Sequence, residues 1–280
     1  MTNVSYADKV VIITGGSSGI GKGCAEQFVN AGAKVVICCN DADEGASVAA
    51  GLRGAAQKQG AGDADFIYCD VTRTDNIRDL IDTSISRYGR LDCLINNAGW
   101  HPPHKPIDDF SIQEFRDLLE LNLVSIFTAS KFALPYLRQT KGNIINMSSL
   151  VASIGQRYAT TYVATKGAIT AFTKALAVDE APNGVRVNSV SPGNIMTPLW
   201  QEAIDASPEP QQYRAEGEAA QLIGRMGRVE EVGRLCLFIA AEATFTTGVD
   251  HIISGGAELG YGQKSMNGKV NEIELTHSQT

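Results

Sequence analysis

The sequence is short of most of what a membrane, metal or nucleic-acid protein needs. No run approaches eighteen apolar residues, so no transmembrane helix is expected. The start, MTNVSYADKVVIITGG, lacks a basic stretch followed by a long apolar one, and no secretory leader is expected. Positive charge is in deficit: 24 Lys plus Arg against 31 Asp plus Glu give a net charge of −7. Without a basic cluster, nucleic acid and anionic membrane are poor partners. The six cysteines are scattered at 24, 38, 39, 69, 93 and 236, with no CxxC or Cys/His spacing, so no metal site is expected. They read as reduced core thiols of a cytoplasmic protein. No Pro- or Ser-rich linker and no internal repeat interrupts the chain. These absences leave a small-molecule partner and one domain over residues 1–262, followed by a polar tail, 263–280.

What is present is an alternation of short apolar runs with helical stretches. KVVIIT (9–14), KVVICC (34–39), DFIYCD (65–70), LDCLIN (91–96), GNIINM (142–147), VRVNSV (185–190) and VDHIIS (249–254) read as strands. Residues 19–31 and 41–59 read as the first two helices. Strands apolar throughout suit a parallel sheet covered on both faces. The alternation predicts an α/β fold: a Rossmann-type, doubly wound parallel sheet of about seven strands flanked by helices.

After the first strand comes TGGSSGIG (14–21), with glycines at Gly15, Gly19 and Gly21. A tight strand-to-helix turn needs positive φ, and the backbone must come close to a pyrophosphate. The helix start then offers free N–H groups and the positive end of its dipole. Gly15, Ser17, Ser18, Gly19, Ile20 and Gly21 are therefore read as a dinucleotide loop. A carboxylate at the end of the second strand holds the ribose of NAD, yet that strand ends CCND, with Cys39 where an Asp is expected. Asp41 stands two residues late, and Asp41-Ala42-Asp43-Glu44 also reads as a capping box. Nothing basic lies in the loop or between Cys39 and Arg53, so NAD is favoured over NADP. Asp70, followed by Val71, could accept from the adenine amino group or cap the helix that starts near Thr72.

SSLVASIGQRYATTYVATKGA (148–168) carries Tyr158, Tyr162 and Lys166 four residues apart, on one face of a helix. With TGxxxGxG at 14–21, NNAG at 96–99 and SPGNIMT at 191–197, this order of motifs resembles the short-chain dehydrogenase/reductase family over nearly the whole chain. In that family a serine lies about a dozen residues before the tyrosine. Thirteen back from Tyr162 is Ser149; thirteen back from Tyr158 is Ile145, in a strand. The resemblance thus implies Tyr162 as general base, its phenol pKa lowered by Lys166 and the nicotinamide cation. It implies Ser149 on the substrate oxygen, Lys166 on the nicotinamide ribose and Asn122 relaying protons. It also implies that Asn96, Asn97, Ala98 and Gly99 flank the adenine ribose, and that Pro192, Gly193, Ile195 and Thr197 wrap the nicotinamide amide. NNAGWHPP, SSLVASIGQ, GRMG and GGAELGYG are similar to a branch that oxidises 17β-hydroxysteroids with NAD as a homotetramer and is also associated with L-fucose.

His101, Gln156, Asn194, Leu199 and Trp200, with Ser149 and Tyr162, are the candidate substrate residues. Each has a plainer reading: loop histidine, surface turn, loop shaping, packing. The expected activity is oxidation of a secondary alcohol, a 17β-hydroxysteroid or related substrate, with a free sugar as the alternative because the rim is polar. A catalytically silent dinucleotide sensor is the reading from another class; the presence of Ser149, Tyr162 and Lys166 argues against it.

Overall fold

A computed structural model describes residues 4–59 and 61–259. The end of the domain near Gly262 and the tail 263–280 lie outside the described residues. Seven strands form one sheet: β1 (Val10–Thr14), β2 (Lys34–Cys39), β3 (Asp63–Tyr68), β4 (Cys93–Asn96), β5 (Asn143–Met147), β6 (Arg186–Pro192) and β9 (Asp250–Ile253). Their order is β3-β2-β1-β4-β5-β6-β9, and every pairing is parallel. The chain winds outward from β1 to one side, then returns to β4 on the other. That reversal opens a crevice at the carboxyl ends of β1 and β4, where ligands of such sheets bind.

Both faces are covered, and the two-residue period of the strands divides the core. On β1, Val11 and Ile13 join Phe28 of α1 (Gly19–Asn30), Leu52 of α2 (Ala42–Gln59) and Val232 and Cys236 of α10 (Val229–Ala241). Val10 and Ile12 face the other way, toward Leu80 of α3 (Thr74–Tyr88), Ala133 and Leu137 of α5 (Ser125–Thr140) and Ala177 of α7 (Thr160–Glu180). Burial at both ends of the alternation explains why these strands read as unbroken apolar runs.

Three details differ from the sequence reading. The third strand is Asp63–Tyr68, displaced toward the N-terminus from DFIYCD. It is an edge strand whose ends, Asp63 and Tyr68, are exposed, and Arg53 of α2 grips its start through Asp63, the Ala64 carbonyl and Asp65. Two short strands, β7 (Ile195–Met196) and β8 (Gly227–Arg228), pair outside the main sheet. The run Ile112–Thr140, comprising α4 (Ile112–Leu119), a π turn (Glu120–Val124) and α5, is by length and composition apolar enough to cross a membrane. Its apolar character is that of a core layer, because Leu118, Ile126, Ala129, Ala133 and Leu137 are buried.

Candidate active site

The glycine loop is built as the sequence suggests. Gly15 and Gly19 have φ of +63° and +50°. A Cβ on Gly21 would stand 2.1 Å from the Gly15 carbonyl oxygen, so only glycine fits. Ser18 is the N-cap of α1, but its side chain makes no capping bond and the first turn holds no acid. The N-terminal N–H groups are thereby left for an anion, and the cradle fits a pyrophosphate. The segment after β4 rivets this loop. Thr14 Oγ1 accepts from the backbone N–H of Asn97 and of Ala98, and the Asn97 amide donates to the carbonyls of Thr14 and Gly15. The Asn97 side chain thus holds the loop itself. Asn96 lies deeper, in a buried run in which it donates to Asn146 and Asn146 donates to Thr173.

At the adenosine end the groups divide differently from expectation. Asp41 Oδ1 accepts from the Glu44 N–H at 2.9 Å, so Asp41 is the helix cap of α2. Cys39 donates its thiol to the Asp41 carbonyl. Asp70 Oδ1 accepts from the N–H and hydroxyl of Thr72, closing a turn, while Val71 is buried in the core beneath it. Across the crevice, Pro192 ends β6, and a Cβ on Gly193 would meet Ser254 at 2.9 Å. Ile195 anchors β7 in the core. Thr197 caps α8 (Pro198–Asp205), accepting from the Trp200 N–H, and its methyl lies within 3.4 Å of where a Gly19 side chain would begin. Residues 192–197 therefore arch back to the glycine loop.

Ser149 follows β5, and Tyr162 and Lys166 project from α7. The Ser149 side chain acts on the Tyr162 hydroxyl and lowers its pKa, and its Oγ accepts from the Val151 N–H. The Lys166 ammonium lies 5.6 Å from the Tyr162 ring centroid and donates to the Met147 carbonyl at 2.9 Å. Burial pushes Lys166 down to about 8, so it keeps its charge at neutral pH. Burial pushes Tyr162 up to about 12, and Ser149 partly opposes it; the expected lowering draws on Lys166 and the nicotinamide cation together.

Asn122 sits in the π turn, a widened helical turn of a kind frequent at functional sites. Its amide donates to the Trp100 carbonyl and the Thr165 hydroxyl, and its oxygen accepts from the Trp100 N–H. A Cβ on Gly99 would lie 3.1 Å from Asn122 Oδ1 and 3.7 Å from Lys166 Nζ, so Gly99 leaves room where those two side chains converge.

Of the two tyrosines, Tyr158 stands apart. It has φ +60°, is 44% exposed, and bonds through its hydroxyl to Arg157. Its carbonyl accepts from the Lys105 N–H, joining two loops at the mouth. His101 and Gln156 do reach the centre. The His101 ring lies 4.1 Å from the Tyr162 ring, and its Nε2 is 3.1 Å from Gln156 Oε1. His104, which the sequence reading passed over, stacks edge-on against His101; burial and His101 lower its pKa. Asn194 points elsewhere: its amide donates to the Gly217 carbonyl, pinning α9 (Pro210–Ala219). Trp200 packs on Tyr213 of α9, and Leu199 is exposed.

With this geometry established, the chain can be set beside known proteins. A family model described as enoyl-(acyl carrier protein) reductase matches residues 15–258. An L-fucose dehydrogenase of Bos taurus is 51% identical over 273 residues, covering 98% of this chain and 98% of that protein. The ligand-free aldohexose dehydrogenase of Thermoplasma acidophilum superposes with a TM-score of 0.80 at 35% identity, covering 90% of this chain and 95% of the other. The L-sorbose reductase of Gluconobacter frateurii, solved with NADPH and L-sorbose, gives a TM-score of 0.86 at 27% identity, covering 91% and 98%.

Proposed function

The chain belongs to the short-chain dehydrogenase/reductase family, and on that premise we propose that it oxidises the anomeric hydroxyl of a free sugar, L-fucose or a similar aldose, with NAD. It is an oxidoreductase of CH–OH groups. The observation that carries the sugar reading is the polar pair His101–Gln156 set against Tyr162. A site lined with hydrogen-bonding groups favours a hydroxylated substrate, because a poorer partner leaves those groups unpaired. The relatives named for L-fucose support the same choice over a steroid. NAD is supported by the acids Asp41, Asp43 and Glu44 beside a loop without a basic residue.

When bound, the dinucleotide supplies the hydride acceptor. Ser149 lies beside the Tyr162 hydroxyl, so one substrate oxygen can be shared between them. Ser149 donates to that oxygen as charge develops. Tyr162 takes the hydroxyl proton. The fixed Lys166 ammonium stabilises the phenolate in a low-dielectric setting, and Asn122, held by Trp100 and Thr165, supports the relay of protons between Lys166 and solvent without itself being protonated. His101 and Gln156 orient the remaining hydroxyls.

A cytoplasmic location accompanies this reading, supported by six cysteines that are all free and buried. So does a homotetramer, which needs two kinds of interface. Apolar surface supports it. One part is a groove of about 300 Å³ between α5 and α7, lined by Phe127, Leu134, Phe172 and Leu176. Further exposed apolar side chains are Phe238 on α10, Phe245 after it and Ile252 on β9.

The test is the initial rate of NAD reduction with L-fucose and with estradiol, offered separately. L-fucose is expected to be turned over at least about tenfold faster, within the range that hydrogen-bonded sites discriminate. Faster turnover of estradiol would sink the sugar reading.

A further inference from the structure

The end of β2 poses a problem of charge. The position that should carry a ribose carboxylate is Cys39, whose buried thiol is spent on the Asp41 carbonyl. Asp41, the next acid, is exposed and caps α2. The carboxylate that does touch the glycine loop is Glu44: Ser17 Oγ donates to Glu44 Oε2 at 3.1 Å. Ser17 is buried in the loop between Gly15 and the start of α1. Glu44 therefore bridges the two backbone segments, loop and start of α2, between which an adenosine ribose must lie. Among the described residues it has no ion pair, and its Oε1 has no hydrogen-bond partner.

We propose that Glu44, positioned by Ser17, is the carboxylate that reads the adenosine ribose in this chain. The inference rests on the dinucleotide reading above and deepens it. A carboxylate accepts from ribose hydroxyls and repels a 2′-phosphate, whose added charge approaches −2 near neutral pH. Of the cations on α1 and α2, the guanidinium is committed elsewhere. Arg53 is engaged by Asp63, Asp65 and the Ala64 carbonyl, and Lys22 interacts with Glu26. Glu44 thus sets the preference for NAD that Cys39 gives up.

The experiment is titration of the full chain with NADH and with NADPH, followed by nucleotide fluorescence, for the wild type, Glu44→Gln and Asp41→Asn. Both variants keep side-chain size, and Asn still caps a helix. Wild type is expected to bind NADH more tightly. Glu44→Gln is expected to weaken NADH binding about tenfold, the scale of one lost charged hydrogen bond, and to tighten NADPH binding. Asp41→Asn is expected to move the ratio by less than about threefold, because that carboxylate is engaged as the cap of α2. If NADH binds but its ratio to NADPH is unchanged in Glu44→Gln, or shifts more in Asp41→Asn, the inference is overturned while the dinucleotide reading stands. Wild-type preference for NADPH overturns it too. Binding of neither nucleotide overturns both.

Discussion

Tyr162→Phe is expected to lower kcat with L-fucose by about 10³-fold or more, because a general base of this kind contributes roughly 10²–10⁴. Dinucleotide affinity should stay within about twofold, since the ring remains and only one hydroxyl is lost. The structure says why the loss is so complete. Tyr158 cannot stand in: it sits at the mouth with its hydroxyl on Arg157. Ser149 cannot either, as a hydroxyl of far higher pKa than a phenol. Steady-state rates with NAD and NADH titration of the same preparation check both halves. Wild-type-like turnover would remove Tyr162 from the mechanism.

Lys166→Met should separate activity from stability. Activity is expected to fall at least about 10²-fold, because the ammonium that favours phenolate is gone. Stability should respond with a definite sign in pH. Burial holds Lys166 at about 8 in the folded chain, below its ordinary value of 10.5. Between those values the unfolded chain binds more protons, so raising the pH favours the folded state. From about pH 8 to 10, wild type is therefore expected to gain roughly 2 kcal/mol relative to Lys166→Met, which has no such proton to lose. Urea titrations of both proteins at three pH values measure it. A difference independent of pH would mean that Lys166 is fully charged and well solvated in the fold. The ordinary lysine value of 10.5 sets the upper end of the window, and Tyr162, common to both proteins, cancels in the comparison.

The parts of the molecule legible in the sequence are those whose determinants are local. Val10 to Thr14 read as a buried strand because every position is apolar or small. The glycine loop read from its glycine spacing, and the Tyr162–Lys166 pair from helical spacing taken with the family resemblance that selected Tyr162 over Tyr158. The edge strand was misplaced because its period is diluted by water-facing residues. Contacts between distant segments left no periodic trace. Ser17 meets Glu44 across 27 positions, and Glu44 also stood where a capping box explained it. His101 meets Tyr162 only because a loop after β4 folds over α7. Asn194 has the side chain of a substrate contact, but its amide is drawn to Gly217 by the packing of α9. Cys39 was legible as a departure, though not what replaces it. Burial, which raises the phenol pKa, was not legible either, because it depends on how α7 packs.

One hydroxyl, that of Thr14, holds two successive N–H groups at the carboxyl end of β4 while Asn97 grips the glycine loop from the same side. The amides of Asn97 and Ala98 are consequently expected to exchange with deuterium as slowly as those of the neighbouring strands, although they belong to a connecting loop. Rapid exchange there would show that the clasp opens on its own. If it stays closed, the cradle exists before the nucleotide arrives, and binding needs to freeze little of the chain; affinity is then governed by contacts made rather than by order imposed.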